Sequence, residues 1–202
     1  MRDFLLVTII GFLVGWLVFL PAANLGLRIT PLLIVLSVLG FTLFAPFVFW
    51  VLKFLSRFWP IFNQFGKFAA VGTLNTLLDL GILNLLIFAT GFSKGFYFSA
   101  FKAMSFVVST TNSYFWNKFW TFGNRMPVTV LEYLRFGFFA LIGVLINVSV
   151  ASFVVNVIGA PEGVSEKLWA NVGALIAVFV ALSWNFLSYR NIVFKSQAPR
   201  TK

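Results

Sequence analysis

Residues 65–90 read FGKFAAVGTLNTLLDLGILNLLIFAT. From Gly66 this is an apolar run with one basic residue near its start and one acid, Asp79, near its middle. At 1.5 Å per residue, a helix over 66–90 reaches roughly 37 Å, enough to cross a hydrocarbon core of about 30 Å. The same reading applies elsewhere and gives six segments, at 4–22, 30–52, 66–90, 97–117, 136–158 and 168–189. Helices are the expected form, because lipid offers backbone amides and carbonyls no outside partner. Pro21, Pro31, Pro60, Pro127 and Pro161 fall at or near segment ends, where a missing amide costs little. Pro46 lies inside the second segment and predicts a kink there. The expected fold class is an all-α membrane protein, a six-helix transmembrane bundle.

Composition agrees. The chain has 202 residues, of which 60% are hydrophobic and 10% charged, against about 25% charged in a soluble domain. A water-soluble fold of this size has too little interior to hide so much apolar surface. There is no cysteine and no histidine, which excludes disulfides, thiol chemistry and the usual zinc ligands. No metal and no cofactor are expected. A net charge of +10 would suggest nucleic acid in a soluble protein. Here it is read as basic loops on one side of a bilayer, and no nucleic-acid partner is expected. The run from Phe4 to Leu20 lacks a small-residue cleavage site flanked by polar sequence, so it is read as a retained signal anchor.

The loops supply an orientation. Eleven of the fifteen Lys and Arg residues lie at the N-terminus, in the 53–67 and 118–135 loops and in the C-terminal tail; Arg28, Lys94, Lys102 and Lys167 make up the other side. Basic loops stay inside, which places both termini in the cytoplasm of a multi-pass protein of the cell membrane. The basic and aromatic stretch KFLSRFWPIFNQFGK at 53–67 reads either as an interfacial segment lying flat among headgroups or as a simple connection.

Two segment pairs repeat. FGKFAAVG at 65–72 aligns without a gap on FGFFALIG at 136–143, and SYFWNKFWTF at 113–122 on NFLSYRNIVF at 185–194. The offsets are 71 and 72, so Lys118 matches Arg190 and Phe122 matches Phe194. Each unit holds two spans and returns to its starting side, so the repeats are parallel. The organisation expected is a transmembrane hairpin over 1–60, a four-span domain over 61–196 with repeats at 65–122 and 136–194, and a cytoplasmic tail over 197–202.

These motifs resemble the GtrA-like family, also found as the membrane part of some dolichol-phosphate mannose synthases. The resemblance covers about 65–195. It rests on Phe65, Phe68 and Gly72, on Phe136, Phe139 and Gly143, and on the closing pattern at Asn117, Lys118, Trp120 and Phe122 and at Asn185, Phe186, Arg190 and Phe194. The second closing copy departs from the pattern, with Tyr189 in place of Asn and Ile192 in place of Trp. The added hairpin departs from the four-span form. The resemblance implies translocation of a polyprenyl-phosphate-linked sugar for cell-surface polysaccharide or glycan synthesis, beside a partner membrane glycosyltransferase. The alternative is a scaffold that anchors or stabilises that enzyme and transports nothing. Four to six helices make a thin wall for a bulky headgroup, which leaves a homodimer open.

Within the spans, Asp79 is a candidate because a carboxylate deep in lipid costs at least about 2.5 kcal/mol on insertion scales. Asn75 lies one turn earlier on the same face. Thr76 matches Asn147 in the second copy, whereas Asp79 matches Val150. Lys102, Ser105, Ser109 and Asn112 form one stripe on the fourth segment, and Lys102 reaches Asp79 only if the two helices are neighbours. The set Asp79, Asn75, Lys102, Ser109, Asn112 and Asn147 reads as an intramembrane polar path, or as interhelical glue. Lys118, Arg190, Asn117 and Asn185 read as lipid-phosphate ligands, or, for the two cations, as ordinary snorkelling anchors. No paired carboxylates, histidine base or glycine-rich phosphate loop is present, so no catalytic residue is assigned and an enzyme is not expected.

Overall fold

The computed structural model describes residues 1–24 and 28–195. Among these the regular structure is helical throughout, and the chain divides into two compact units, Met1–Gly123 and Asn124–Lys202. The expected tail at 197–202, with Arg200 and Lys202, lies outside the described residues.

The first unit opens with α1 (Arg2–Leu17), which breaks at Val18 and continues as the short α2 (Phe19–Asn24). Pro21 explains the break, because it cannot donate to the carbonyl of Leu17 and its ring crowds that group. Helix α3 (Pro31–Leu55) starts on a cap in which Thr30 Oγ1 accepts from the Leu33 amide at 3.2 Å, with Pro31 at the first helical position. Pro46 lies within α3 and does not end it. A short turn leads to α4 (Ile61–Thr90), which stops at Gly91, whose positive φ of 75° suits glycine. Helix α5 (Gly95–Trp116) runs into a π-helical turn, Asn117–Thr121. The 53–67 stretch is mostly helical, with a short turn as the connection. It is the end of α3, a turn and the first two turns of α4.

The hairpin expected over 1–60 packs into the same unit as the first repeat, with α1 lying against both α3 and α4. The sequence Gly11-x-x-x-Gly15 lets α1 approach α3 closely. A Cβ on Gly11 would stand 2.3 Å from the Phe41 carbonyl oxygen, and one on Gly15 2.6 Å from the Val38 Cα. Val7, Ile10, Val14, Phe49, Val71, Leu74 and Trp120 form the core beside this contact.

The second unit has α6 (Val130–Ser152), capped by Thr129, continuing into a π-helical turn at Phe153–Ile158. Then α7 (Glu166–Ser188), capped by Ser165, continues into a third π-helical turn at Tyr189–Val193. Helices α6 and α7 pack along their length. Phe136 is fully buried and stacks on Tyr189 with ring centroids 4.1 Å apart.

The two aligned closing motifs share a local geometry. The turns at 117–121 and 189–193 stand 72 residues apart, the offset of the closing motif. Each is closed by a phenylalanine amide, Phe122 to the Asn117 carbonyl and Phe194 to the Tyr189 carbonyl, both at 2.8 Å.

Five segments are long and apolar enough to cross a membrane: Arg2–Ala22, Pro31–Leu55, Ile61–Thr90, Val130–Ile158 and Leu168–Val193. The protein is therefore integral to a membrane. The segment expected at 97–117 is helical and, at 22 residues, roughly 33 Å long, but it is not among the five. Its polar stripe at Lys102, Ser105, Ser109 and Asn112 lowers its apolar character.

Candidate functional site

The stripe on α5 faces α4. Lys102 Nζ forms an ion pair with Asp79 Oδ2, and Ser105 donates its hydroxyl to Asp79 Oδ1 at 2.6 Å. Two turns further, Asn112 Nδ2 donates to Asn75 Oδ1 at 2.7 Å, while Asn75 Nδ2 donates to the Val71 carbonyl of its own helix at 2.8 Å. Ser109, also buried, turns its hydroxyl onto the Phe106 carbonyl. The structure thus brings together Asp79, Asn75, Lys102, Ser105, Ser109 and Asn112 as one seam between two helices. Asn147 stands on α6 of the second unit, half-buried.

The seam is graded in accessibility. The Asp79 side chain is 19% exposed and that of Lys102 44%, whereas Ser105 is fully buried. The carboxylate is therefore fixed inside, and the ammonium reaches it from a more open position. The second unit shows how little of this polarity the packing requires. Ala177 and Ala181, 72 residues beyond Ser105 and Ser109, are buried to the same degree as those serines. A buried line of small residues serves both helices, and only the first unit adds hydroxyls, an acid and a cation to it.

The closing motifs differ more than their alignment suggests. Lys118 is fully buried, with Nζ 6.0 Å from the ring centroids of both Tyr114 and Phe119, whereas Arg190 is exposed. Asn117 is buried and donates to the Ser113 carbonyl at 2.9 Å; its Oδ1 has no hydrogen-bond partner. Asn185 lies across α6 at Gly143, where an added Cβ would stand 2.4 Å from Asn185 Oδ1, another buried oxygen without a hydrogen-bond partner. Lys118 and Arg190 are equivalent in sequence but not in setting, because one is fully buried and the other is exposed.

One group went unread in the sequence. Asp3, in the first turn of α1, pairs with Lys67 of α4 at 2.7 Å and accepts from Trp120 Nε1 at 2.9 Å. Lys67 also lies 5.7 Å from the Trp120 ring centroid, and Lys53 of α3 stands over the Phe4 ring at 5.0 Å. The signal was the rarity of acids in this chain, with five Asp and Glu against fifteen Lys and Arg. An acid opening an apolar helix then needs a partner. Beside this cluster an apolar crevice of about 140 Å³ runs between α1, α3 and α4.

The family model described as GtrA/DPMS, transmembrane domain, matches residues 67–194. No curated protein and no solved structure matches the chain significantly. The match begins at Lys67, so α1, α2, α3 and the Asp3 carboxylate lie outside it.

Proposed function

Since the chain belongs to the GtrA/DPMS transmembrane family, which links it to polyprenyl-phosphate sugar processes in membranes, we propose that it moves a polyprenyl-phosphate-linked sugar across the bilayer. The reading places both termini in the cytoplasm of a protein of the cell membrane and assigns the chain no bond-making chemistry. The observation that carries it is the one-sided polar seam. A buried acid, its cation, a buried hydroxyl and an amide pair line α4 and α5, where packing alone is satisfied by alanine in the second unit. A sugar is a dense array of hydroxyls, and it needs replacement partners for the water it leaves. Asp79, Ser105, Asn75 and Asn112 supply them if the two helices part. Arg190, exposed beside the second π-helical closing turn, is suited to meet a phosphate before entry.

The test is translocation of a fluorescent polyprenyl-phosphate sugar in proteoliposomes. Asp79→Asn and Arg190→Ala are each expected to bring the rate to background while the protein remains folded and monodisperse. Flipping at the wild-type rate in both variants would sink the proposed route. A second reading has its own support: Asp79, Lys102, Ser105, Asn75 and Asn112 are already matched by partners on the facing helix, as interhelical glue would be. On that reading the bundle is a scaffold for a membrane glycosyltransferase. It would co-purify with that enzyme and show background flipping even as wild type.

A further inference from the structure

Two donors converge on one carboxylate in the first unit, with a second ammonium nearby, where α1 and α4 begin and α3 and α5 end. Lys67 Nζ is 2.7 Å from Asp3 Oδ2, Trp120 Nε1 donates to Asp3 Oδ1 at 2.9 Å, and Lys53 adds its charge at the same group. The donors are held by packing: the Lys67 side chain is 13% exposed and Trp120 7%. The Lys67 ammonium and an indole N–H at one spot, with the Lys53 ammonium nearby over the Phe4 ring, form an anion site whatever fills it. Two lysines against one carboxylate leave that spot with a surplus of positive charge.

The apolar crevice begins next to this site. It is lined by Val7, one turn beyond Asp3; by Phe49, one turn before Lys53; and by Gly66 and Ala70, which flank Lys67 on α4. Gly66 keeps this region narrow, since a Cβ there would meet Phe49 and Leu52 at 3.2 Å. A volume of about 140 Å³ suits the first few carbons of a hydrocarbon chain. An anion site about one helical turn from an apolar crevice matches a lipid whose phosphate is attached directly to its chain.

We propose that Lys67, Lys53 and Trp120 form a binding site for the phosphate of such a lipid monophosphate, and that Asp3 is its built-in occupant, displaced when the lipid binds. A phosphomonoester carries about −1.5 to −2 charge and three strong acceptor oxygens, against one charge and two oxygens for a carboxylate. It therefore answers the surplus charge that Asp3 leaves. The site depends on the N-terminal hairpin, which supplies Asp3, Lys53 and two of the three crevice walls, and so gives that hairpin a role. The inference rests on the reading that the chain handles polyprenyl-phosphate lipids. It adds to that reading a site for the sugar-free lipid phosphate, governed by an internal competitor.

The experiment measures binding of farnesyl phosphate, farnesol and inorganic phosphate to the full chain in detergent micelles, together with melting temperature. If Asp3 fills the site about nine-tenths of the time, removing its charge raises apparent affinity about tenfold. Asp3→Asn is therefore expected to bind farnesyl phosphate about tenfold more tightly than wild type. Adding Lys67→Met to it should cancel the gain, and farnesol binding should not change. Equal or weaker farnesyl phosphate binding by Asp3→Asn, with a lowered melting temperature, would make Asp3 a structural clamp and overturn the proposal. A gain that farnesol shares, or that inorganic phosphate reproduces in full, would also overturn it. The flipping assay is scored separately. Tighter binding by Asp3→Asn with no flipping by any variant leaves this site standing and removes the transport reading. Flipping by wild type with no gain in Asp3→Asn does the reverse.

Discussion

The Asp79–Lys102 pair can be broken from either side, and the two sides should not cost the same. Lys102→Met leaves a carboxylate that is 19% exposed, on a side chain too short to reach water, with Ser105 as its remaining partner. Removing one partner of a buried ion pair costs about 3–5 kcal/mol when the other charge is left uncompensated. Partial exposure places Lys102→Met near the low end, at about 3 kcal/mol. Asp79→Asn leaves an ammonium on a long stem that is already 44% exposed, and it can swing toward water. Ser105 then turns its hydroxyl to the Lys102 carbonyl, 3.0 Å away. The expected loss is about 1–2 kcal/mol. The double variant should be more stable than Lys102→Met alone, which requires a coupling larger than the Asp79→Asn loss, about 2–3 kcal/mol. The assay is reversible unfolding of the four proteins in mixed micelles, combined as a double-mutant cycle. Additive losses, or a larger loss for Asp79→Asn than for Lys102→Met, would refute the argument that burial of the acid and mobility of the cation set the energetics.

The remaining predictions concern helix contacts. Gly11→Ala puts a methyl 2.3 Å from a backbone carbonyl that cannot swing away, so it should cost about 3 kcal/mol; Gly40→Ala, which meets nothing within 4 Å, should stabilise α3 by about 0.5–1 kcal/mol, and thermal melts of both variants check the contrast. Gly143→Ala drives a methyl into the Asn185 amide and should cost about 1–3 kcal/mol. Adding Asn185→Ala should recover most of that loss in the same melt, since the obstacle is a side chain.

Much of the fold was legible because membranes impose a local rule. A stretch of about twenty apolar residues reports its own helix without knowledge of its neighbours, and the segments at 4–22, 30–52, 66–90, 136–158 and 168–189 follow that rule. The helix at 97–117 was also found, but its lower apolarity sets it apart, since the face it turns to α4 carries the polar stripe. The alignment of SYFWNKFWTF with NFLSYRNIVF correctly announced a shared closing geometry, because a π-helical turn is made by neighbouring residues. The Gly11-x-x-x-Gly15 spacing was equally visible and went unread, and with it the reason α1 and α3 pack so closely.

The sequence alone determined that the chain is a helical membrane protein, that its two closing motifs align, and that polar residues share one face of the fourth segment. These are properties of hydropathy, spacing and local repetition, all set within a few turns of chain. Only the tertiary structure decided that the stripe meets Asp79, that Lys118 is enclosed while Arg190 is exposed, and that Asp3 meets Lys67 and Trp120. Asp3 and Trp120 are separated by 117 positions, and no periodicity spans that distance. Which charges meet depends on which helix faces pack and in what register.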